Sequence, residues 1–198
     1  MHIAVYLAHP RSDSFNGALF DAVVDELRAR GAEVAAHDLY AEGFDPASTA
    51  AETDTVRGAH TADELVRRYQ DELADVDALA FVHPNWWGMP PAILTGWVQR
   101  VLTPAVAYKL DEASGEPAGL LRVRRALVLN TSDTTLERER DVFGDPLAQI
   151  WAACVLPYVG VADIRRRVFR TVTDSTADQR ATWLKEARDL AAALVADR

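Results

Sequence analysis

The sequence predicts a doubly wound α/β domain, a five-stranded parallel sheet in the order 2-1-3-4-5 with helices on both faces, as a single domain over residues 1–198. Three observations lead there. Short apolar runs alternate with amphipathic stretches of helical period. The first and third runs both stop at a His-Pro pair, His9-Pro10 and His83-Pro84. Between successive runs lies enough chain for the crossovers that parallel strands require, and those crossovers are right-handed.

Ile3 to Ala8 is a short apolar run, and after a Ser/Asp/Asn-rich turn Leu19, Phe20, Val23, Val24 and Leu27 recur at helical spacing, so the chain opens as strand, loop, helix. Gly31 closes that helix as a left-handed cap, and Glu33 to Leu39 supplies the second strand. Tyr40 to Ala62 has no period and contains Gly43, Pro46 and Gly58. It reads as a long excursion before a helix with Leu65, Val66, Tyr69 and Leu73 on one face. Asp77 to Val82 is the third strand, and beyond His83-Pro84 a Trp-rich turn leads into a helix carrying Ile93, Leu94, Trp97 and Val101. Arg125 to Leu129 is the fourth strand, ending in the loop Asn130 to Thr134, and a helix over Pro146 to Val155 follows. Ile164 to Val172 is the fifth strand, with Arg166 and Arg170 alternating as on a charge-protected sheet edge. The last helix starts at Ser175 or Thr176 and buries Trp183, Ala187, Leu190 and Leu194.

With 49% apolar and 26% charged residues in 198, the chain is neither disordered nor a coiled coil. Its net charge of −9 repels phosphate backbones and anionic lipid, so nucleic acid is not expected as a partner. Arg165, Arg166, Arg167 and Arg170 alternate along one strand, which makes them a solvated edge or a subunit contact. The one cysteine, Cys154, sits in an apolar stretch and reads as a small core residue, consistent with a reducing cytoplasmic location. Neither an export signal nor an apolar run of about eighteen residues is present, so no membrane insertion is expected. His9 and His83 lack a third ligand at diagnostic spacing, and no metal site is expected.

In such folds ligands bind beyond the carboxyl ends of the strands, where the loops starting at His9, His83 and Asn130 converge. The first, His9-Pro10-Arg11-Ser12-Asp13-Ser14-Phe15-Asn16, offers hydroxyls, an amide and the free N–H groups of a helix start to a phosphate; Ser14 or Asn16 serves equally as a plain helix cap. No GxGxxG or GxxxxGK motif occurs, which argues against a dinucleotide-binding Rossmann unit or a P-loop. The second loop, Asn85-Trp86-Trp87-Gly88-Met89-Pro90-Pro91, has two tryptophans that either pack in the core or wall a flat ligand such as a flavin ring. The third, Asn130 to Thr134, presents amides and hydroxyls to a heteroaromatic edge, in a composition that is also ordinary turn chemistry.

These motifs together resemble the flavodoxin-like NAD(P)H:quinone oxidoreductase family of the DT-diaphorase type, in particular its short bacterial NAD(P)H oxidoreductases. The resemblance covers nearly the whole chain. It rests on His9-Pro10 to Ser14-Phe15-Asn16, on Pro84 to Trp97 with Trp86-Trp87 and Pro91-Ala92-Ile93-Leu94, and on Ala107-Tyr108, with support from Asn130-Thr131-Ser132, Phe143-Gly144-Asp145 and Ala177-Asp178-Gln179-Arg180.

The resemblance implies a flavin, FAD with FMN as the alternative, and NAD(P)H as electron donor. It implies His9, Ser14, Phe15 and Asn16 around the phosphates, Pro84, Asn85, Trp86 and Trp87 with Asn130, Thr131, Ser132 and Asp133 around the isoalloxazine, and Arg180 at the adenine end. It further implies a homodimer with shared active sites, in which the segment bearing Tyr108 covers a small aromatic acceptor. Trp87 and Tyr108 are then the residues that shape the reacting slot. The family's Tyr-x-Tyr is here Tyr108-Lys109-Leu110, and its proton-relay Tyr and His fall at Glu137 and Phe143, which puts quinone specificity in doubt and leaves other aromatic acceptors open. A flavodoxin-type electron carrier and an ancillary subunit of an ion-efflux system are the competing readings.

Overall fold

The computed structural model describes residues 1–54 and 60–196. Its elements are β1 (His2–Leu7), α1 (Phe15–Ala29), β2 (Glu33–Asp38), α2 (Glu64–Leu73), β3 (Ala78–Pro84) and α3 (Ala92–Val101). A small antiparallel pair follows, β4 (Tyr108–Leu110) and β5 (Pro117–Gly119), and then β6 (Arg125–Ser132). Between β6 and the last strand runs an arch of short helical pieces: α4 (Leu136–Arg138), a π-helical turn Glu139–Phe143, α5 (Pro146–Ala148), a second π-helical turn Gln149–Val155, and α6 (Leu156–Tyr158). The chain closes with β7 (Asp163–Arg170) and α7 (Ala177–Val195).

The main sheet is parallel throughout, in the order β2-β1-β3-β6-β7, which is the expected 2-1-3-4-5 once the hairpin is set aside. Successive residues of each strand face opposite layers. Ile3, Val5, Ala80, Val82, Leu127 and Leu129 pack with Leu19, Val23 and Leu27 of α1 and Trp183, Ala187 and Leu194 of α7. Tyr6, Leu79, Phe81 and Val128 pack with α2, α3 and the arch, where Trp97 and Trp151 are fully buried. Truncating either tryptophan to alanine would cost roughly 3–5 kcal/mol. Gly31, with φ 80°, is the expected left-handed cap of α1. The long excursion is pinned by Arg100 of α3, whose guanidinium meets Glu52 (2.7 Å) and Asp63 (3.0 Å); Gly58 lies outside the described residues.

Four expectations are corrected. The fourth strand does not end at Leu129: β6 continues to Ser132 because β3 also extends to Pro84, pairing His83 with Asn130 and Pro84 with Thr131. The expected helix over Pro146 to Val155 is a mixture of α and π turns. Cys154 is exposed, since it lies on the outer side of that arch. The arginines of β7 do separate to opposite faces, but they do not form a solvated edge. Arg167 pairs with Glu186 of α7, whereas Arg166, whose side chain is 12% exposed, and Arg170 turn under the arch to Asp145 and Glu139.

Candidate functional site

The loops that leave β1, β3, β6 and β7 meet at the carboxyl edge of the sheet around a cleft of about 570 Å³. In the first loop Ser14 is the N-cap of α1, its Oγ accepting the Gly17 N–H (3.1 Å). Gly17 is required there, because a Cβ would overlap the Ser12 carbonyl oxygen folded back onto the helix. The Phe15 and Asn16 amides are first-turn donors that an α-helix leaves without intrahelical partners, and they sit at the positive end of its dipole. Asn16 is buried, and its side-chain amide exchanges two hydrogen bonds with the Thr131 hydroxyl (2.9 and 3.2 Å). The side chain therefore ties the first loop to the third.

The second loop is a tight turn. The Asn85 N–H donates to Thr131 O (2.7 Å) and its Oδ1 accepts the Gly88 N–H (2.9 Å). Trp86 and Met89 exchange backbone bonds of 3.1 and 3.0 Å across Trp87 and Gly88, both left-handed with φ 57° and 77°. Two left-handed central residues make a turn in which Asn and Gly are normally preferred. Trp86 is 40% exposed and faces the cleft, while Trp87 is 95% exposed. Trp87 and Gly88 line a neighbouring cleft of about 480 Å³ with Thr134, Arg138, Phe143 and Pro146. Trp87 is thus a wall residue and not a core residue.

On the far side, Asp133 Oδ1 accepts the Thr173 N–H (2.8 Å), which brings the loop after β7 into the cleft. The cleft's charged side chains are Arg11, Asp13 and Asp133. Arg11 hydrogen-bonds Asp13 (3.0 Å) and holds that carboxyl below its usual range by the bond and by its charge.

Of the expected site residues, His9, Ser14, Phe15, Asn16, Pro84, Asn85, Trp86, Thr131, Ser132 and Asp133 converge on the first cleft and Trp87 on the second. Asn130 does not. One residue before Thr131 on β6, it faces the opposite layer, where its amide donates to His83 Nε2 (2.7 Å) and its Oδ1 accepts from Arg166 Nε (2.7 Å). His83 also accepts from Trp151 Nε1 (2.9 Å), and burial lowers its pKa to about 4, so the ring is neutral. Arg180 donates to Ser175 O (2.6 Å) and Oγ (2.9 Å) at the start of α7. Tyr108 lies elsewhere in this chain, edge-on to Tyr158 in an apolar groove of about 240 Å³ that Cys154 also lines. Val172 and Thr173, which the loop motifs do not mark, also line the cleft, since the fifth parallel strand ends at the same edge. Among the described residues no group of three or more His, Cys, Asp or Glu is arranged to hold a metal ion, and no helix is long and apolar enough to cross a membrane.

Comparison with known proteins bears on the same elements. A family model described as a flavodoxin-like fold matches residues 1–193. The human ribosyldihydronicotinamide dehydrogenase [quinone] is 31% identical over 167 residues, covering 75% of this chain and 71% of that protein. The orangutan counterpart aligns over 64% of its own length, so the chain spans about two thirds of such relatives. The solved NAD(P)H:quinone oxidoreductase of Methanothermobacter marburgensis superposes with a TM-score of 0.84 at 25% identity, over 97% of this chain and 98% of that one. An FMN-dependent NADH-azoreductase from Bacillus anthracis, solved in complex with FMN, superposes with a TM-score of 0.79 at 16% identity over 98% of this chain and 99% of that one, a likeness of fold.

Proposed function

The chain belongs to the flavodoxin-like family of NAD(P)H:quinone oxidoreductases, and on that footing we propose that it is a flavin-dependent NAD(P)H oxidoreductase acting on a quinone or similar aromatic acceptor. The observation that carries this reading is the convergence of unpaired helix-start amides with Trp86 and Trp87 at two adjoining clefts on the carboxyl edge of the sheet.

The residues fit a flavin. The amides of Phe15 and Asn16 with the Ser14 hydroxyl would bind phosphate, as helix N-termini do. The Asn16 side chain, as distinct from its backbone N–H, would act through its bond to Thr131. Pro84, Asn85 and Trp86 on one side and Thr131, Ser132 and Asp133 on the other would hold the ring, and we favour FAD over FMN because Arg180 matches an adenine-side position of the family. Bound there, the flavin would supply two-electron transfer between NAD(P)H and the acceptor. The protein's part is to place donor and acceptor in turn against one exposed face and to exclude water with Trp87, Phe143 and Pro146. The positions of the family's proton relay hold the exposed Glu137 and the apolar Phe143, so the family's Tyr and His pair is missing from them.

We further propose a cytoplasmic homodimer in which the partner covers the apolar groove at Cys154, Val155 and Tyr158 and brings Tyr108 towards the acceptor slot. That groove is lined by Val98, Leu102, Val155 and Val159 with the two tyrosines, an apolar surface of the kind a partner covers. The test is direct. Purified protein should carry or take up FAD, identified by mass after release, should be bleached by NADH or NADPH in stopped flow, and should sediment as a dimer. Tyr108→Phe should slow chiefly the acceptor half-reaction. Protein that stays colourless with added FAD and FMN overturns the reading, and bleaching only by a reductase protein makes it an electron carrier instead.

A further inference from the structure

A buried polar chain links the two walls of the second cleft. It begins at Pro84, whose carbonyl oxygen accepts from His83 Nδ1 (2.9 Å). His83 Nε2 accepts from the Asn130 amide (2.7 Å), Asn130 Oδ1 accepts from Arg166 Nε (2.7 Å), and Arg166 Nη1 reaches Asp145 Oδ2 (2.6 Å). Pro84 opens the turn that carries Trp87 and Gly88. Asp145 lies two residues from Phe143 and precedes Pro146, two of the arch residues that line the second cleft. The walls lie close at Gly88, where an added Cβ would come 3.1 Å from Pro146 Cγ.

The arch needs such a tie. Asp145 stands between two π-helical turns and follows Gly144 at φ 72°, so the local backbone does little to fix the position of Phe143. π-Helical turns are rare and occur frequently at functional sites. Asp145 also caps α5, its Oδ1 accepting the Ala148 N–H (3.0 Å). The guanidinium thus holds the residue that caps α5 between the two π-helical turns.

We propose that Arg166 is a positioning residue for the acceptor slot: through Asp145 on one side and Asn130–His83 on the other, it sets the separation of Phe143 and Pro146 from the Trp87–Gly88 turn and so sets acceptor affinity. Arg166 touches neither acceptor nor cofactor. The inference rests on the reading of the second cleft as the acceptor slot.

The experiment compares Arg166→Met with the double variant Arg166→Met/Asp145→Asn. The single variant strands a half-buried carboxylate and lowers the melting temperature, whereas the double variant removes both charges, keeps the α5 cap and recovers much of that loss. Both should raise the acceptor KM about tenfold, short of the roughly hundredfold that a full ångström of misplacement costs, with a smaller loss in reduction by NAD(P)H, which uses the same slot. In the flavin-free protein, amides of residues 139–148 should exchange with deuterium faster in both variants while those of β1 and β3 do not change. A KM that returns to the wild-type value as stability returns, or exchange over 139–148 that stays at the wild-type rate, overturns the inference. A wild-type protein that binds no flavin overturns the underlying reading instead, which is a distinct result.

Discussion

Trp87 offers the sharpest separation of packing from function. At 95% exposure it contributes almost nothing to the core, and its φ of 57° places a bulky side chain in left-handed backbone. That conformation costs an ordinary residue roughly 1–2 kcal/mol, and Asn tolerates it better than most. Trp87→Asn, next to Gly88, creates the Asn-Gly pair that such turns prefer. The expected net gain is about 1 kcal/mol, which for a chain of this size raises Tm by roughly 2–4 °C. A core tryptophan would instead cost roughly 3–5 kcal/mol on truncation. Over the same variant, the acceptor half-reaction should fall by on the order of a hundredfold as the stacking wall is lost, with a smaller loss in reduction by NAD(P)H. Thermal unfolding of flavin-free protein beside stopped-flow rates of both half-reactions gives the two numbers. A drop in Tm with unaltered rates per folded molecule would show that Trp87 packs against something, and the wall assignment would be withdrawn.

Gly17→Ala gains about 1 kcal/mol of helix propensity but drives the Ser12 carbonyl away from α1, a clash worth roughly 1–3 kcal/mol. Stability should change little or fall slightly while flavin affinity, measured by fluorescence titration, falls at least about tenfold; unchanged affinity would detach the first loop from the cofactor. Arg100→Met leaves Glu52 and Asp63 facing a vacated site and should cost roughly 3–5 kcal/mol in urea unfolding; a loss below about 1 kcal/mol would mean the excursion is held by other contacts. Burial alone would lower the His37 pKa, but its hydrogen bonds to Glu42 and Glu72 raise it to about 9. The folded protein thus holds this proton more tightly than the unfolded chain, so the stabilisation is complete below about pH 6.5 and is lost as pH rises through about 9. His37→Gln should flatten the decline of Tm over that window, and an equally steep decline in the variant would assign it to other groups.

The order of the sheet was legible because each strand is an apolar run bounded by a marked turn, twice by His-Pro. What was not legible follows from the same feature. Strands buried on both faces carry no alternation in composition, so nothing in Val128-Leu129-Asn130-Thr131 says which side each residue takes. Register with β3 decides that Thr131 meets Asn16 while Asn130 meets His83. The hairpin of β4 and β5 leaves no sequence signal because its strands have three residues each. The arch departs from the expected helix although Trp151 to Leu156 reads as a buried run. Only Trp151 and Leu156 are fully buried, and the residues between them are exposed or half-buried. Arg166 and Arg170 looked like edge protection, and only the acids that the arch brings over them turn them inward.

The packing of α7 against α1 has a consequence for how the chain folds. Leu19, Val23 and Leu27 are needed in the first βαβ unit, yet part of the apolar layer they form is closed by Trp183, Ala187 and Leu194, more than 150 residues later in the sequence. During synthesis at about 5–20 residues per second, that surface waits many seconds for its cover. A ribosome stalled before α7 emerges would hold a nascent chain in which that apolar layer has no cover. Contacts between such distant segments also slow spontaneous refolding. The most conspicuous vulnerability of this protein thus lies in the interval before its last helix arrives, and not in the finished structure.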